Sequence, residues 1–306
     1  MKDPFTARAT LLALTTALIS GFSNFLSKIA VTAVKDPILY TTLKNSIVAV
    51  LLVGIVLGLK RWPEIRALTK KQVVQLVAIG IIGGSVPFAL FFTGLTMTSA
   101  LNGALIHKTL FLWVALLALP ILKERFTKWQ WLGVGALFAA NVVVGGFAGF
   151  KYNAGELMIL AATLLWAVEN VIAKMALKEL SSTTVAAARM ILGSFVLLAL
   201  VSVRTGFAPI VALSAVQWGW TLLLSVFLLG YVLTWYAALK RAPATVVAAL
   251  LVPATLVTNV LSAIFITHTF SGADFLQAGL FAAGIALIIV FAHKTTEQAS
   301  PDSVSA

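Results

Sequence analysis

The chain has 306 residues, 60% hydrophobic and only 10% charged, with no cysteine. Soluble domains carry ~45–50% apolar and ~25% charged residues, so this composition excludes a soluble globular protein, a disordered chain and a fibrous one. Its 22 Lys and Arg against 10 Asp and Glu give a formal net charge of +12, and the lack of cysteine removes disulfides, thiolate metal sites and cysteine nucleophiles.

A bilayer-crossing helix needs about 20 mostly apolar residues. Ten such runs follow in chain order: Ala9–Val31, Ile38–Leu59, Val73–Leu95, Ala100–Ile121, Trp129–Gly149, Gly155–Leu177, Thr184–Val203, Trp218–Leu239, Val246–Thr267 and Phe275–Phe291. They are long and continuous rather than alternating, which predicts an all-α integral membrane protein and not a barrel. Asp36-Pro37, Trp62-Pro63 and Ser271-Gly272 punctuate them. Span 1 is too long, and too polar in its second half, for a secretory leader, and no small-residue cleavage site follows; it is expected to be retained. The polar segment 293–306 is expected to be a disordered cytoplasmic tail.

With the N-terminus inside, fourteen of the 22 cations fall in internal segments, three in external loops and five within spans. Lys and Arg accumulate on the cytoplasmic side, so the bias predicts an N-in, C-in topology. The +12 is then an orientation signal, and nucleic acid is not an expected partner.

The chain also resembles itself at an offset of about 145 residues. Ser23-Asn24-Phe25-Leu26-Ser27-Lys28 in span 1 answers Glu169-Asn170-Val171-Ile172-Ala173-Lys174 in span 6; Lys44 answers Arg189; Leu95–Ala104 answers Leu239–Ala248. Residues 1–149 and 150–292 thus form two five-span repeats. An odd number of crossings inserts them with opposite orientation, and inverted repeats of this kind place a transported substrate near mid-membrane between the halves.

Polar residues inside the spans need a reason, because a charge at the bilayer centre costs ~2.5–3.5 kcal/mol. Lys28 and Lys174 lie near span ends, where snorkelling to water suffices; Lys44 and Arg189 sit deeper and either snorkel or cap neighbouring carbonyls. Lys108 and Glu169 lie about eight residues from the nearest end, ~12 Å at the helical rise. They either line a wet cavity, where Lys108 meets a carboxylate and Glu169 an ammonium, or form a structural link. His107 stands beside Lys108 and titrates near neutral pH if hydrated, although a core histidine is the commoner outcome. Span 1 has a polar stripe at Ser20, Ser23, Asn24, Ser27 and Lys28, span 6 one at Thr163, Trp166, Glu169, Asn170 and Lys174, and span 9 one at Thr255, Thr258, Asn259 and Ser262. Such stripes either hydrogen-bond helix to helix or face a central water-accessible cavity. Pro87 in span 3 and Pro253 in span 9 predict bends at hinge or site positions, or static kinks. Phe91, Trp166 and Trp235 are candidate apolar walls, and Asn24, Asn102 and Asn170 candidate polar contacts. Spans 5 and 10 carry no acid or base and are expected at the periphery, packing through small residues such as Gly133 and Ala140.

The Asn-x-x-x-Lys of spans 1 and 6, the cation opening spans 2 and 7, and the stretch from Thr98-Ser99-Ala100 to Leu122-Lys123-Glu124-Arg125-Phe126 followed by Trp131-Leu132-Gly133 resemble the drug/metabolite transporter superfamily. Within it the chain is similar to the EamA-type ten-helix branch, over nearly its whole length, and looks like the aromatic amino-acid exporters of the YddG type. Two departures stand out: Thr109 where the second repeat has Pro253, and His268 near the place of Glu124. The resemblance implies a secondary exporter of small metabolites, amino acids first and multidrug or other carriers as the alternative, in the bacterial inner membrane. The expected partners are a small-molecule substrate, the lipid bilayer and protons, with the chain a monomer or weak dimer. An intramembrane enzyme is disfavoured because neither HExxH nor GxSxG occurs, and a channel because no ring of like charge or filter motif occurs. No catalytic residue, metal or cofactor is expected. The candidate substrate residues are Ser20, Asn24, Pro87, Phe91, Asn102, His107, Lys108, Trp166, Glu169, Asn170 and Trp235.

Overall fold

A computed structural model describes residues 4–98, 100–143 and 151–297, and these are helical almost throughout. Span 1 is α1 (Pro4–Val34) and span 2 is α2 (Pro37–Gly58); the short α3 (Trp62–Arg66) precedes α4 (Lys70–Gly84) and α5 (Val86–Met97), which together make span 3. Span 4 is α6 (Ala100–Lys108) and α7 (Leu110–Ile121), and span 5 is α8 (Lys128–Val142). The second half holds α9 (Ala154–Ala176), α10 (Ser182–Arg204), the short α11 (Ala208–Val211) and α12 (Ala215–Arg241). It ends with α13 (Ala244–Leu251), α14 (Ala254–Ser262), a π-helical turn (Ala263–Thr267) and α15 (Gly272–Glu297). Eight helical runs among the described residues are long and apolar enough to cross a membrane; the shorter apolar run Leu105–Ile121 fills span 4.

Two details differ from the sequence reading, and the end of one span lies outside the described residues. Residues 293–297, assigned to the tail, continue α15 because no breaker separates them from Phe291; 298–306 lie outside the described residues. The end of span 5, from residue 144, also lies outside them. Lys174 does not snorkel: its ammonium donates to the carbonyls of Leu239 (2.7 Å) and Ala242 (2.6 Å), tying α9 to the end of α12. These terminal carbonyls have no helical partner, and a cation satisfies them well.

The helix ends follow local chemistry. Asp36 caps α2 through Ile38 and Leu39. Thr69–Gln72, Thr127–Gln130 and Ser214–Gln217 are reciprocal capping boxes at α4, α8 and α12. Span 4 breaks at Thr109 although it has no proline there. The Thr109 hydroxyl donates to Ile106 (2.6 Å) and accepts from the Trp113 indole (3.0 Å), so a side chain competes with the helical ladder. Pro253 breaks span 9 at the matching position. The departure between the halves at this point therefore leaves the architecture unchanged.

The packing repeats between the halves. α1 packs on α12 as α9 packs on α4 and α5; α1 meets α13 and α14 as α9 meets α6 and α7; α10 meets α4 as α2 meets α12. The pairs α2–α10 and α8–α15 map onto themselves. Single residues obey the same exchange. Gln72 donates to Glu179 (2.6 Å) across the halves, and Gln217, 145 residues on, donates to Ala33 (2.9 Å). Lys60 and Gly206, and likewise Lys123 and His268, end their helices in left-handed backbone. Lys123, rather than Glu124, is thus the partner of His268. Close approach is bought by glycine: a Cβ on Gly193 would lie 2.5 Å from the Gly84 backbone, and one on Gly133 would meet the Gly284 carbonyl at 2.9 Å.

Candidate functional site

The interior of the bundle gathers side chains from α2, α5, α6, α9, α10 and α12. The organising feature is a pair of carbonyls. Pro87 has no N–H, so the Gly83 carbonyl, four residues earlier, loses its helical donor. Instead it accepts the Trp166 indole (3.0 Å) and the Arg189 guanidinium (3.0 Å). The next carbonyl, Gly84, accepts from Asn45 (3.2 Å). The span 3 break itself lies at Ser85, whose hydroxyl donates to Ile81 (2.8 Å), and Pro87 occupies the first turn of α5. Pro87 therefore acts by exposing an acceptor to two helices of the other half.

Around this point the aromatics form one cluster. Trp166 meets Phe88 (5.3 Å between ring centres), Phe91 (5.6 Å) and His107 (5.0 Å), and His107 meets Phe91 (5.2 Å). His107 Nδ1 is buried without a hydrogen-bond partner. Lys108 follows on α6, only 8% exposed, and among the described residues no carboxylate lies within ion-pair distance of it. The ion pair among the described residues is Arg204 with Asp36 (3.3 Å).

Glu169 is not a partner for Lys108. It is 1% exposed and accepts the Tyr236 hydroxyl at 2.5 Å. Arg189 stands beside it, its guanidinium over the rings of Phe88 (5.7 Å) and Tyr236 (5.9 Å). A Cβ on Gly83 would strike Glu169 Cγ and approach Arg189 Nε at 3.3 Å, so glycine makes room for both. Asn170 donates back to the Trp166 carbonyl (2.9 Å) and accepts the Trp235 indole (3.2 Å), while Trp235 stacks on Tyr231 (6.0 Å).

The structure thus brings together Pro87, Phe91, His107, Trp166, Glu169, Asn170 and Trp235, with Lys108 adjoining. It does not bring in the rest. Ser20 is half-buried and Asn24 exposed on α1. Asn102 donates to Glu156 (2.6 Å), whose other oxygen accepts the Lys151 and Tyr152 amides; it pins the start of α9 to α6. The span 9 stripe serves helix contacts: Thr258 donates to Gly21 (3.0 Å) and Asn259 to Gln277 (3.0 Å). Trp235, 2% exposed, is packed interior rather than an open wall. The sequence reading missed the Gly83 carbonyl, which its pattern did signal: a proline four residues after a glycine leaves that acceptor free. It also missed Glu124, which caps α13 by accepting from Ala244 (2.7 Å) and Thr245 (3.0 Å and, from its hydroxyl, 2.8 Å). That pairing spans 120 residues of chain and has no local signal.

Two similarly paired halves make up a multi-span helical membrane protein. Residues 7–146 and 153–290 each match the model of the EamA-like transporter family, and the chain belongs to that family. It is an all-helical, multi-span membrane protein. It is 37% identical over 124 residues to the "Uncharacterized transporter YyaM" of Bacillus subtilis (strain 168), a match covering 38% of this chain and 41% of that protein. The fold is also that of a solved structure titled "Crystal structure of protein", at a TM-score of 0.75 and 20% identity, over 94% of this chain and 99% of that one.

Proposed function

We propose that this carrier exports amino acids, aromatic ones foremost, across a bacterial inner membrane. In this reading the halves insert with opposite orientation, both termini are cytoplasmic, and the substrate is exposed alternately to the two sides. The observation that carries it is Lys108, 8% exposed and, among the described residues, without a carboxylate partner, following directly in the chain on His107 of the Phe91–His107–Trp166 cluster. A buried cation without an anion is costly; a substrate carboxylate would offset that cost, and the rings would hold a flat side chain. Glu169, Asn170 and Trp235 position this wall. The alignment of Lys28 with Lys174 and the cation bias of the loops support the inverted topology.

The test is efflux from proteoliposomes with a labelled amino-acid panel. Flux of at least one member is expected, with at least tenfold loss in Lys108→Ala and Trp166→Ala. Absence of flux across the panel would refute the substrate reading, and full flux in both variants would remove those residues from the site. The same assay under an imposed pH gradient separates proton-coupled transport from facilitated diffusion.

A further inference from the structure

Lys44 on α2 is more buried than Lys108, at 4% exposed. Its ammonium lies 5.0 Å from the Tyr40 ring centre and 5.2 Å from that of Phe92, and it has no hydrogen bond or ion pair among the described residues. Cation–π contact recovers only part of what an unpaired ammonium costs in a membrane interior. One helical turn before it, the Tyr40 hydroxyl is also buried, with the Ser27 hydroxyl as its polar neighbour and no carboxylate. Two donors of the same neighbourhood therefore lack an anionic acceptor among the described residues.

The other half shows what the acceptor is. Arg189 stands 145 positions after Lys44, and there the cation is accompanied by a tyrosine hydroxyl, Tyr236, and by the Glu169 carboxylate that this hydroxyl reaches. The first half has a cation, Lys44, and a tyrosine hydroxyl, Tyr40. Where Glu169 would stand it has Ser23. α12 holds that place level with Lys44: Phe227 stacks on Phe22 (6.4 Å), and Ser225, two residues away, donates to the Lys44 carbonyl (3.5 Å). Ser23 has no negative charge to give.

We propose that Lys44 and Tyr40 form a second carboxylate-binding position, completed by the substrate where the other half uses its own glutamate. The ligand class is a monoanionic carboxylate. The inference rests on the reading that the substrate carries such a group, and it adds a position separate from Lys108.

Thermal unfolding of the purified full chain in detergent tests it, with the twenty standard amino acids as probes and the carboxamide of each one that shifts the wild type. The carboxylates are expected to raise Tm and the carboxamides not to. Lys44→Met removes an uncompensated charge, so it should fold and keep its ligand-free Tm while losing at least tenfold in apparent affinity. Ser23→Glu supplies the missing carboxylate in place: its ligand-free Tm should rise and its ligand shift should fall, the part that remains being lost when Lys108→Ala is added. Wild-type shifts retained in full by both variants would overturn the Lys44 position and leave the amino-acid reading standing. A wild type shifted by no probe would overturn both.

Discussion

At the scale of single residues, the interior is governed by which acceptors are free. Glu124 accepts two amide N–H groups and a hydroxyl at the start of α13, joining the first half to the second. A carboxylate at a helix N-terminus is favoured by charge-assisted hydrogen bonds and by the helix dipole. Glu124→Gln keeps the shape and loses the charge, and its expected cost is about 1–2 kcal/mol, read as a lowered Tm in detergent. The position holding His268 and Thr269 in the second half is exposed and offers no such carboxylate. Both ends of the bundle are closed by carboxylates on backbone amides, Glu124 and Glu64 at one and Glu156 at the other, joined by Lys240 on Leu180 at the first and by Arg204 on Asp36 and Gln217 on Ala33 at the second.

At the scale of helices, breaks and close approaches set the geometry. Pro87→Ala restores an N–H four residues after Gly83, which would reclaim the carbonyl now shared by Trp166 and Arg189. The expected outcome is unchanged or higher Tm together with altered Trp fluorescence and reduced flux; unaltered fluorescence and flux would show the freed carbonyl to be irrelevant. Gly84 and Gly193 let α4 and α10 touch backbone to backbone. Gly193→Ala introduces a Cβ 2.5 Å from the Gly84 carbonyl, so the helices must part, at an expected cost of about 1–3 kcal/mol in thermal unfolding.

At the scale of the whole molecule, the halves exchange onto each other in helix pairing and in single hydrogen bonds, down to Gln72 and Gln217. The antiparallel insertion proposed for them is open to direct measurement because the chain has no cysteine. Single cysteines at exposed Lys178 and Lys151 are expected to react with a membrane-impermeant maleimide from opposite sides of the membrane, Lys151→Cys from outside. Labelling of both from one side would reject the topology.

The sequence by itself determined the helical membrane class, the two repeats and the register between them. These depend on runs of about 20 apolar residues, breakers between them and local similarity, all of which are short-range properties. It also singled out Lys108, Trp166 and Glu169 as residues that need an explanation inside a bilayer. Only the tertiary structure decided the partners: Glu169 with Tyr236 and beside Arg189, Lys174 on the end of α12, Asn102 on Glu156, and Lys44 and Lys108 with no anion among the described residues. A side chain's partner is set by which helices pack face to face, and positions 44 and 189 carry the same charge in the sequence. What separates them is a carboxylate that one half supplies from span 6 and the other, at Ser23, does not.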